Sequence, residues 1–309
     1  MRGTNDKSIY DKFVKAVAGF PPTARDGKSA KEVFSESYAL LDELADPKNV
    51  PFPRALAWKA HALALSAYEG WPLPPSAAEG KDTPDVRLNK AKDLALQAIG
   101  LDETDYDLHW AMADVYLFRK EFDDATREFE IALDLNGHER HPNLFAEAAS
   151  AMMHAGKFDK AQSYFRKASR RPDWHHWMRG ILLFVQAGRA GANTEAFLNI
   201  ALDELKSTDT QLGDDFYQLE IQLVLAAVHW RKWELLSARA AAMPAGEPRD
   251  LVEKFAARNL AAAERSIRAF RTTFDHWNVG QAATAVPFKN TADGAYWVDT
   301  MNELWKIPV

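Results

Sequence analysis

One segment of this sequence is close in composition to a metal-binding motif of zinc proteases. That motif needs two histidines four residues apart on one helix, with a glutamate between them. In His138-Glu139-Arg140-His141 the histidines are three apart, and Pro142 follows in a predicted turn between repeats. We therefore interpret this segment as a solvated loop and predict no metal site there.

Two further segments also lack part of the pattern that their chemistry requires. His175 and His176 are adjacent, so on a helix they point about 100° apart and form a poor chelating pair. Gly27-Lys28-Ser29 ends like a phosphate-binding loop, but Pro22 stands where the first glycine is required and no strand precedes it. Since the chain has no cysteine, disulfides and thiolate catalysis are excluded. We predict a protein that is not an enzyme and has no cofactor.

Composition and charge narrow the class of partner. The 309 residues carry a formal net charge of −6, which gives no basic field of the kind that binds nucleic acid. No stretch approaches the roughly 18 apolar residues of a membrane span, and residues 1–7 lack the apolar run of a secretory signal. We expect a cytoplasmic protein without a nucleic-acid or membrane partner.

Helical periodicity and an internal repeat predict the fold. Apolar residues recur at spacings of three and four, and a small–aromatic–small pattern recurs about every 34 residues, as in tetratricopeptide repeats. Its copies are Ala125, Phe129 and Ala132; Ala161, Phe165 and Ala168; and the weaker Ala91, Ala95 and Ala98. The small residues let two helices of a hairpin approach closely, while the ring fills the gap toward the next repeat.

The predicted fold class is all-α: a right-handed α-solenoid of tetratricopeptide hairpins with atypical capping helices at both ends. We expect one superhelical domain over 1–309. Its parts are N-terminal helices in 1–48, core hairpins in 53–205, and degenerate hairpins with a capping helix in 206–309. Outside the centre, the predicted elements are helices at 8–18 and 28–45, a helix at 194–205, a fifth hairpin over 215–243 around Trp230-Arg231-Lys232-Trp233, and helices at 250–271 and 292–305. The proline-rich segment 72–84 is interpreted as a surface loop, with a contact role left open.

Several features make the chain similar to a known arrangement. They are an alanine-rich helix ending at Gly70-Trp71, the proline-containing loop, Pro172-Asp173-Trp174 opening a later hairpin, and, most specifically, Val286-Pro287-Phe288-Lys289-Asn290 before a last helix that closes at Ile307-Pro308. With these, the chain resembles the tetratricopeptide region that follows the catalytic or DNA-binding domain in bacterial class III nucleotide cyclases and winged-helix regulators. The cyclase or winged-helix domain is missing here, and the resemblance brings no catalytic residue. It implies a scaffold or sensor whose output partner is a separate polypeptide.

The groove of a tetratricopeptide protein is lined by fixed positions on the first helix of each hairpin. Those positions give the predicted partner-binding residues Lys59, Leu63, Trp110, Asp114, Leu117, Asn143, Ser150, Met153, His154, His175 and Met178. At the two positions of each repeat where a clamp for an acidic peptide terminus needs lysine or asparagine, only Lys59 has the required type, so no such clamp is predicted. The set predicts an amphipathic helix or extended peptide with apolar anchors and one basic residue for Asp114. In the alternative interpretation, the terminal helices of the chain fill the groove, or these side chains pack between repeats.

Three classes of function follow. The favoured one is a non-catalytic scaffold or adaptor that binds a protein or peptide partner of unknown identity. The second is a structural protein that assembles into a homo-oligomer through Trp277, Trp297 and Trp305. The third is a small-molecule or metal-responsive sensor that uses the histidine-rich turns.

Overall fold

The computed structural model of the chain is helical throughout the part that it describes. That part comprises residues 6–18, 20, 26–46, 52–73, 82–136, 141–168, 175–209, 217–273, 275 and 277–308, with the backbone alone described at 30, 69, 175, 176, 207–209 and 217–220. Within these ranges there are fourteen α-helices, one 3-10 turn at Gly191–Asn193 and no β-strand. The prediction of an all-α fold is confirmed.

The chain divides into two compact units, residues 1–151 and 152–309. The helices of the first unit are α1 (Lys7–Val17), α2 (Ala30–Leu44), α3 (Pro53–Glu69), α4 (Pro84–Leu101), α5 (Tyr106–Phe118) and α6 (Phe122–Leu135), and α7 (Pro142–His154) begins in it. Consecutive helices pack together as α1 with α2, α3 with α4, and α5 with α6, and α3 also packs along α5. The unit is thus built from helical hairpins, and the first helices of two of them, α3 and α5, lie side by side.

The second unit follows the same scheme of neighbouring pairs. Its helices are α8 (Phe158–Ala168), α9 (His175–Ala187), α10 (Thr194–Asp209), α11 (Tyr217–Ala241), α12 (Glu247–Thr273), α13 (Val279–Thr284) and α14 (Thr291–Leu304). The pairs are α9 with α10 and α11 with α12, while α14 packs against α9, α11, α12 and α13. Right-handed solenoid geometry, tetratricopeptide architecture and a single domain over 1–309 stay predictions.

The positions that define the repeat are buried as predicted. Phe129 and Phe165 have no solvent exposure, and neither do the alanines four residues before them, Ala125 and Ala161. The weaker copy on α4 behaves in the same way, since all three of its alanines are fully buried. A side chain larger than alanine at these positions would push the paired helix away, which explains why the pattern alternates small residues with one ring.

The fifth hairpin predicted over 215–243 is wrong in the described part of that range. A single helix of 25 residues, α11, runs through Trp230-Arg231-Lys232-Trp233, and it pairs with α12. The physical reason is that this tetrapeptide has neither glycine nor proline, so nothing interrupts the helix. The actual turn lies at Pro244–Gly246, after the Met243 at which the hairpin was expected to end. The short helix α13 was not predicted.

The segment Gly27-Lys28-Ser29, which ends like a phosphate-binding loop, forms the N-terminal cap of α2. Gly27 has a φ of 76°, and Ser29 is the N-cap of α2, where its side chain accepts a hydrogen bond from the backbone of Glu32. The Glu32 carboxylate in turn accepts from the backbone of Ser29, which completes a capping box. Gly27-Lys28-Ser29 therefore forms a turn that starts a helix, as expected from the absence of a preceding strand.

The Arg87 side chain connects the described ends of the proline-rich segment. Residues 74–81 of that segment lie outside the described part of the chain. On its C-terminal side, Arg87 Nε donates to Asp82 Oδ1 over 2.6 Å, and on its N-terminal side the same guanidinium donates to the Trp71 carbonyl. Pro84 then occupies the first position of α4 behind its N-cap Thr83, where the missing N–H of proline costs nothing.

The turn between α7 and α8 depends on a glycine. Gly156 has a φ of 78°, and a Cβ added to it would lie 2.6 Å from Asp293 Oδ2. We expect Gly156→Ala to lower the free energy of unfolding by about 1–3 kcal/mol, because left-handed backbone and the clash both oppose a side chain. The control is Gly100→Ala on α4, where a Cβ meets nothing within 4 Å. That change should raise stability by up to about 1 kcal/mol. Urea unfolding followed by circular dichroism checks both signs, and equal shifts would contradict the expectation.

Candidate functional site

The groove residues predicted in the first unit lie on its first helices, as expected, but the majority are buried. Those buried are Leu63, Trp110, Asp114 and Ser150, and those with partial solvent access are Lys59, Leu117 and Asn143. Lys59 is engaged within the unit, where its Nζ lies 2.6 Å from Asp42 Oδ1 on α2. A role of these residues in binding a partner stays a prediction.

The predicted groove residues of the second unit are also packed inside it. Met153, His154 and Met178 are buried, and the side chain of His175 lies outside the described part. The C-terminal segment covers His154, since Nδ1 lies 2.6 Å from the Pro287 carbonyl oxygen and the His154 carbonyl accepts from the backbone of Lys289 over 2.9 Å. At this residue the alternative interpretation, in which a terminal segment occupies the predicted groove, describes the contact.

Within the first unit, four polar side chains from three first helices meet in one cluster. His61 on α3 places Nδ1 3.0 Å from Oδ2 of Asp114 on α5. Glu147 on α7 accepts a hydrogen bond from Nε1 of Trp110, which lies one helical turn before Asp114 on α5. The side chains of His61 and Asp114 are only 13% and 5% exposed. We call these four residues the acidic cluster.

Withdrawal from water dominates the electrostatics of the acidic cluster. Burial raises the pKa of Asp114 well above its ordinary value. The pKa of Glu147 is also raised well above its ordinary value, first by desolvation and then by the nearby charge of Asp114. Burial lowers the pKa of His61, so this histidine is neutral at neutral pH. Among the described residues, no lysine or arginine lies beside either carboxyl group.

Aromatic rings surround the acidic cluster. The centroid of the Trp58 ring lies 6.0 Å from that of the Trp110 ring and 5.3 Å from that of the His61 ring. Phe20, from the segment after α1, contacts both Trp58 and His61, and Phe118 lies 6.2 Å from the His61 ring. The rings of Phe20, Trp58 and Phe118 and the Glu147 side chain keep partial solvent access, so the cluster opens toward solvent on this side.

In a second buried polar contact of the first unit, the pKa of the histidine shifts in the opposite direction. His109 on α5 places Nδ1 2.8 Å from Glu128 Oε2 on α6, and Nε2 lies 3.0 Å from the Glu103 carbonyl oxygen. The hydrogen bond to Glu128 raises the pKa of His109, in contrast to His61. This contact joins the two helices of one hairpin, whereas the acidic cluster joins successive hairpins.

Sequence reasoning identified half of the acidic cluster. It placed Trp110 and Asp114 in the groove, but selected neither His61 nor Glu147, and on this part of α7 it chose Ser150. The signal available for Glu147 was a lone carboxylate within the apolar segment Leu144–Met153. Such a residue needs a partner on a neighbouring helix when it is buried.

The remaining motif residues that the structure describes do not converge on a second cluster. Of the histidine-rich turn, residues 138–140 lie outside the described part, and the His141 ring packs 4.8 Å from that of Trp110. Asp123 and Asp124 occupy the first turn of α6, where their negative charges interact favourably with the helix dipole. Among the described residues, no group of three or more histidine, aspartate or glutamate side chains is placed to hold a metal ion.

The tryptophans considered for self-assembly contribute to the second unit. Trp297 is buried, donates a 3.0 Å hydrogen bond to the Ala282 carbonyl and packs edge-on against Phe184. Trp277 and Trp305 both contact the buried ring of Phe270. Trp297 is therefore a core residue, and no surface of it is offered to another molecule.

No protein-family model matches this chain, and no curated protein does. None of the described helices combines the length and the apolar character that crossing a bilayer would require.

Proposed function

We propose that this chain is a non-catalytic helical-repeat scaffold that binds a protein or peptide partner along the first helices of its first unit. The observation that carries the proposal is the acidic cluster, in which successive hairpins contribute aromatic and carboxyl groups to one place. The proposal includes tetratricopeptide architecture, kinship with bacterial regulators, and a cytoplasmic partner encoded as a separate polypeptide, as the resemblance implies.

The chemistry of the acidic cluster favours a basic residue on the partner. Two carboxyl groups lie together with no cation beside them in the described part of the chain, while Trp58 and Phe20 supply ring faces at the opening. A lysine or arginine entering from this side would gain charge-assisted hydrogen bonds to Glu147 and cation–π contact with the rings. An extended or helical segment with apolar residues on either side would complete the contact.

Selection from a displayed library of random peptides tests this proposal and does not require the partner to be identified. We expect enrichment of sequences with one lysine or arginine flanked by apolar residues. A selected peptide should bind Glu147→Gln about ten- to a hundredfold more weakly, the effect of losing one charge-assisted hydrogen bond. The change is isosteric, so the fold is preserved.

The matched control is Glu36→Gln, on the exposed side of α2, where the carboxylate pairs with Lys28 and is 60% exposed. This variant should bind the selected peptides like the wild type. Enrichment of peptides without a basic residue, or equal affinity for Glu147→Gln and the wild type, would contradict the proposal.

A further inference from the structure

A non-helical segment between α13 and α14 crosses the C-terminal end of α7, and we call its residues 286–290 the strap. Two hydrogen bonds join the strap to a single residue. His154 Nδ1 donates to the Pro287 carbonyl over 2.6 Å, and the His154 carbonyl accepts from the backbone of Lys289 over 2.9 Å. The second bond pairs one of the carbonyls that the last turn of a helix leaves without a partner. The strap is therefore held through its main chain, as an extended peptide ligand is.

The Phe288 ring is the side-chain anchor of the strap. Its centroid lies 5.9 Å from that of the His154 ring and 6.4 Å from that of Phe158, the first residue of α8. Gly294 on α14 leaves room for the ring, since a Cβ added there would lie 2.8 Å from Phe288 Cδ2. Pro287 limits the residue before it to extended backbone and has no N–H that would need a partner. The strap thus presents an aromatic residue directly after a proline.

The strap is held less firmly than the helix that follows it. Phe288 keeps partial solvent access and Lys289 is exposed, whereas Trp297 on α14 is buried. The first turn of α14 has its own ion pair, between Asp293 and Arg189. Segments with few buried apolar contacts open at a lower free energy than the core around them. We therefore expect the strap to open as a loop while α14 stays packed.

We infer that His154 and Phe158 form a binding site for an extended peptide with an aromatic residue directly after a proline, and that the strap is the resident occupant of this site. The inference goes beyond the proposed function and is independent of it, because this site lies in the second unit and the acidic cluster lies in the first. The strap competes as a tethered ligand at a high effective concentration. A peptide from another molecule therefore binds only the fraction of molecules whose strap is open.

A synthetic peptide with the sequence of residues 284–291, labelled with a fluorophore and titrated with the full chain, tests the inference. The wild type should bind it weakly. Phe288→Ala removes the anchor of the strap and leaves the site intact, so this variant should bind the peptide at least about tenfold more tightly. The matched control is Phe255→Ala on α12, where the ring is 45% exposed, and it should bind like the wild type. A second peptide, with alanine in place of its phenylalanine, should bind none of these proteins measurably.

Two results of this titration would overturn the inference. One is equal affinity of the wild type and Phe288→Ala for the first peptide, and the other is equal affinity of Phe288→Ala for both peptides. Adding Glu147→Gln to Phe288→Ala should leave the affinity unchanged, because Glu147 belongs to the first unit. Loss of binding in that double variant would place the peptide at the acidic cluster and would likewise contradict the inference.

Hydrogen exchange of the wild type, followed by NMR, gives a readout that does not require any variant to fold. After correction for intrinsic rates, the Lys289 amide should exchange at least about a hundredfold faster than the amides in the middle of α14. Equal protection of the two would mean that the strap opens only when the second unit unfolds, and no site for another peptide would then exist.

Discussion

Replacing Phe129 by alanine is expected to lower the free energy of unfolding of the first unit by about 3–5 kcal/mol. The ring is fully buried on α6, between alanines that are themselves fully buried and bring the neighbouring backbone close. A ring removed from this site leaves a cavity that tightly packed helices fill only in part, so the lost contacts are not recovered. Phe165 occupies the equivalent position of the next repeat, and Phe165→Ala should weaken the second unit by a similar amount.

The control for this prediction is an aromatic residue on a helix surface. Phe255 on α12 is 45% exposed, so Phe255→Ala should change stability by less than about 1 kcal/mol. Hydrogen exchange during urea unfolding measures each unit separately, which assigns the loss to the repeat that was changed. If Phe129→Ala and Phe255→Ala cost the same, the repeat pattern does not mark the core.

Local sequence signals were sufficient for most helices. The helices predicted at 8–18, 28–45 and 292–305 match α1, α2 and α14 within about two residues, because apolar spacing and capping residues such as Ser29 and Asn290 act locally. The error at α11 has a physical origin. Trp230 and Trp233 suggested a repeat boundary by composition, but a boundary needs a residue that breaks the helix, and this segment has none.

The acidic cluster could be predicted only in part, for a reason of register. Repeat positions place Trp110 and Asp114 on the inner face of α5, since both follow from spacing along one helix. The contact with His61 and Glu147 depends on how α3 and α7 are rotated against α5, which one sequence does not reveal. A shift of one residue exchanges Ala146 for Glu147, and this shift separates an apolar groove from a buried carboxyl pair.

The pairing within the cluster also changes what the groove prediction means. A central carboxylate on its own would be a fixed negative charge awaiting a basic partner. Burial instead raises the pKa values of both Asp114 and Glu147, so a basic residue and a proton compete for the same oxygens. Partner affinity should accordingly increase with pH as these two carboxyl groups lose their protons.

Replacing Arg54 by methionine is expected to cost about 3–5 kcal/mol in the free energy of unfolding of the first unit. Arg54, in the first turn of α3, donates from Nε and Nη2 to both oxygens of Asp105 over 2.6 and 2.8 Å, and its Nη1 lies 2.7 Å from Asp107 Oδ2. All three side chains are nearly buried, at 12%, 4% and 10% exposure. Methionine preserves the apolar stem but removes the guanidinium from two nearly buried carboxylates, and the loss of these ion pairs is the source of the cost.

Two further substitutions separate geometry from charge in this contact. Arg54→Lys retains the positive charge but cannot reproduce the bidentate geometry at Asp105. We therefore expect it to lower the free energy of unfolding, but by less than Arg54→Met does. The exposed pair of Arg249 and Glu253 on α12, at 37% and 49% exposure, is the control, and Arg249→Met should cost less than about 1 kcal/mol. Urea unfolding of the three variants provides the comparison. A loss for Arg54→Met no larger than that for Arg249→Met would mean that the start of α3 is held to α5 by apolar packing alone, without help from the buried ion pair.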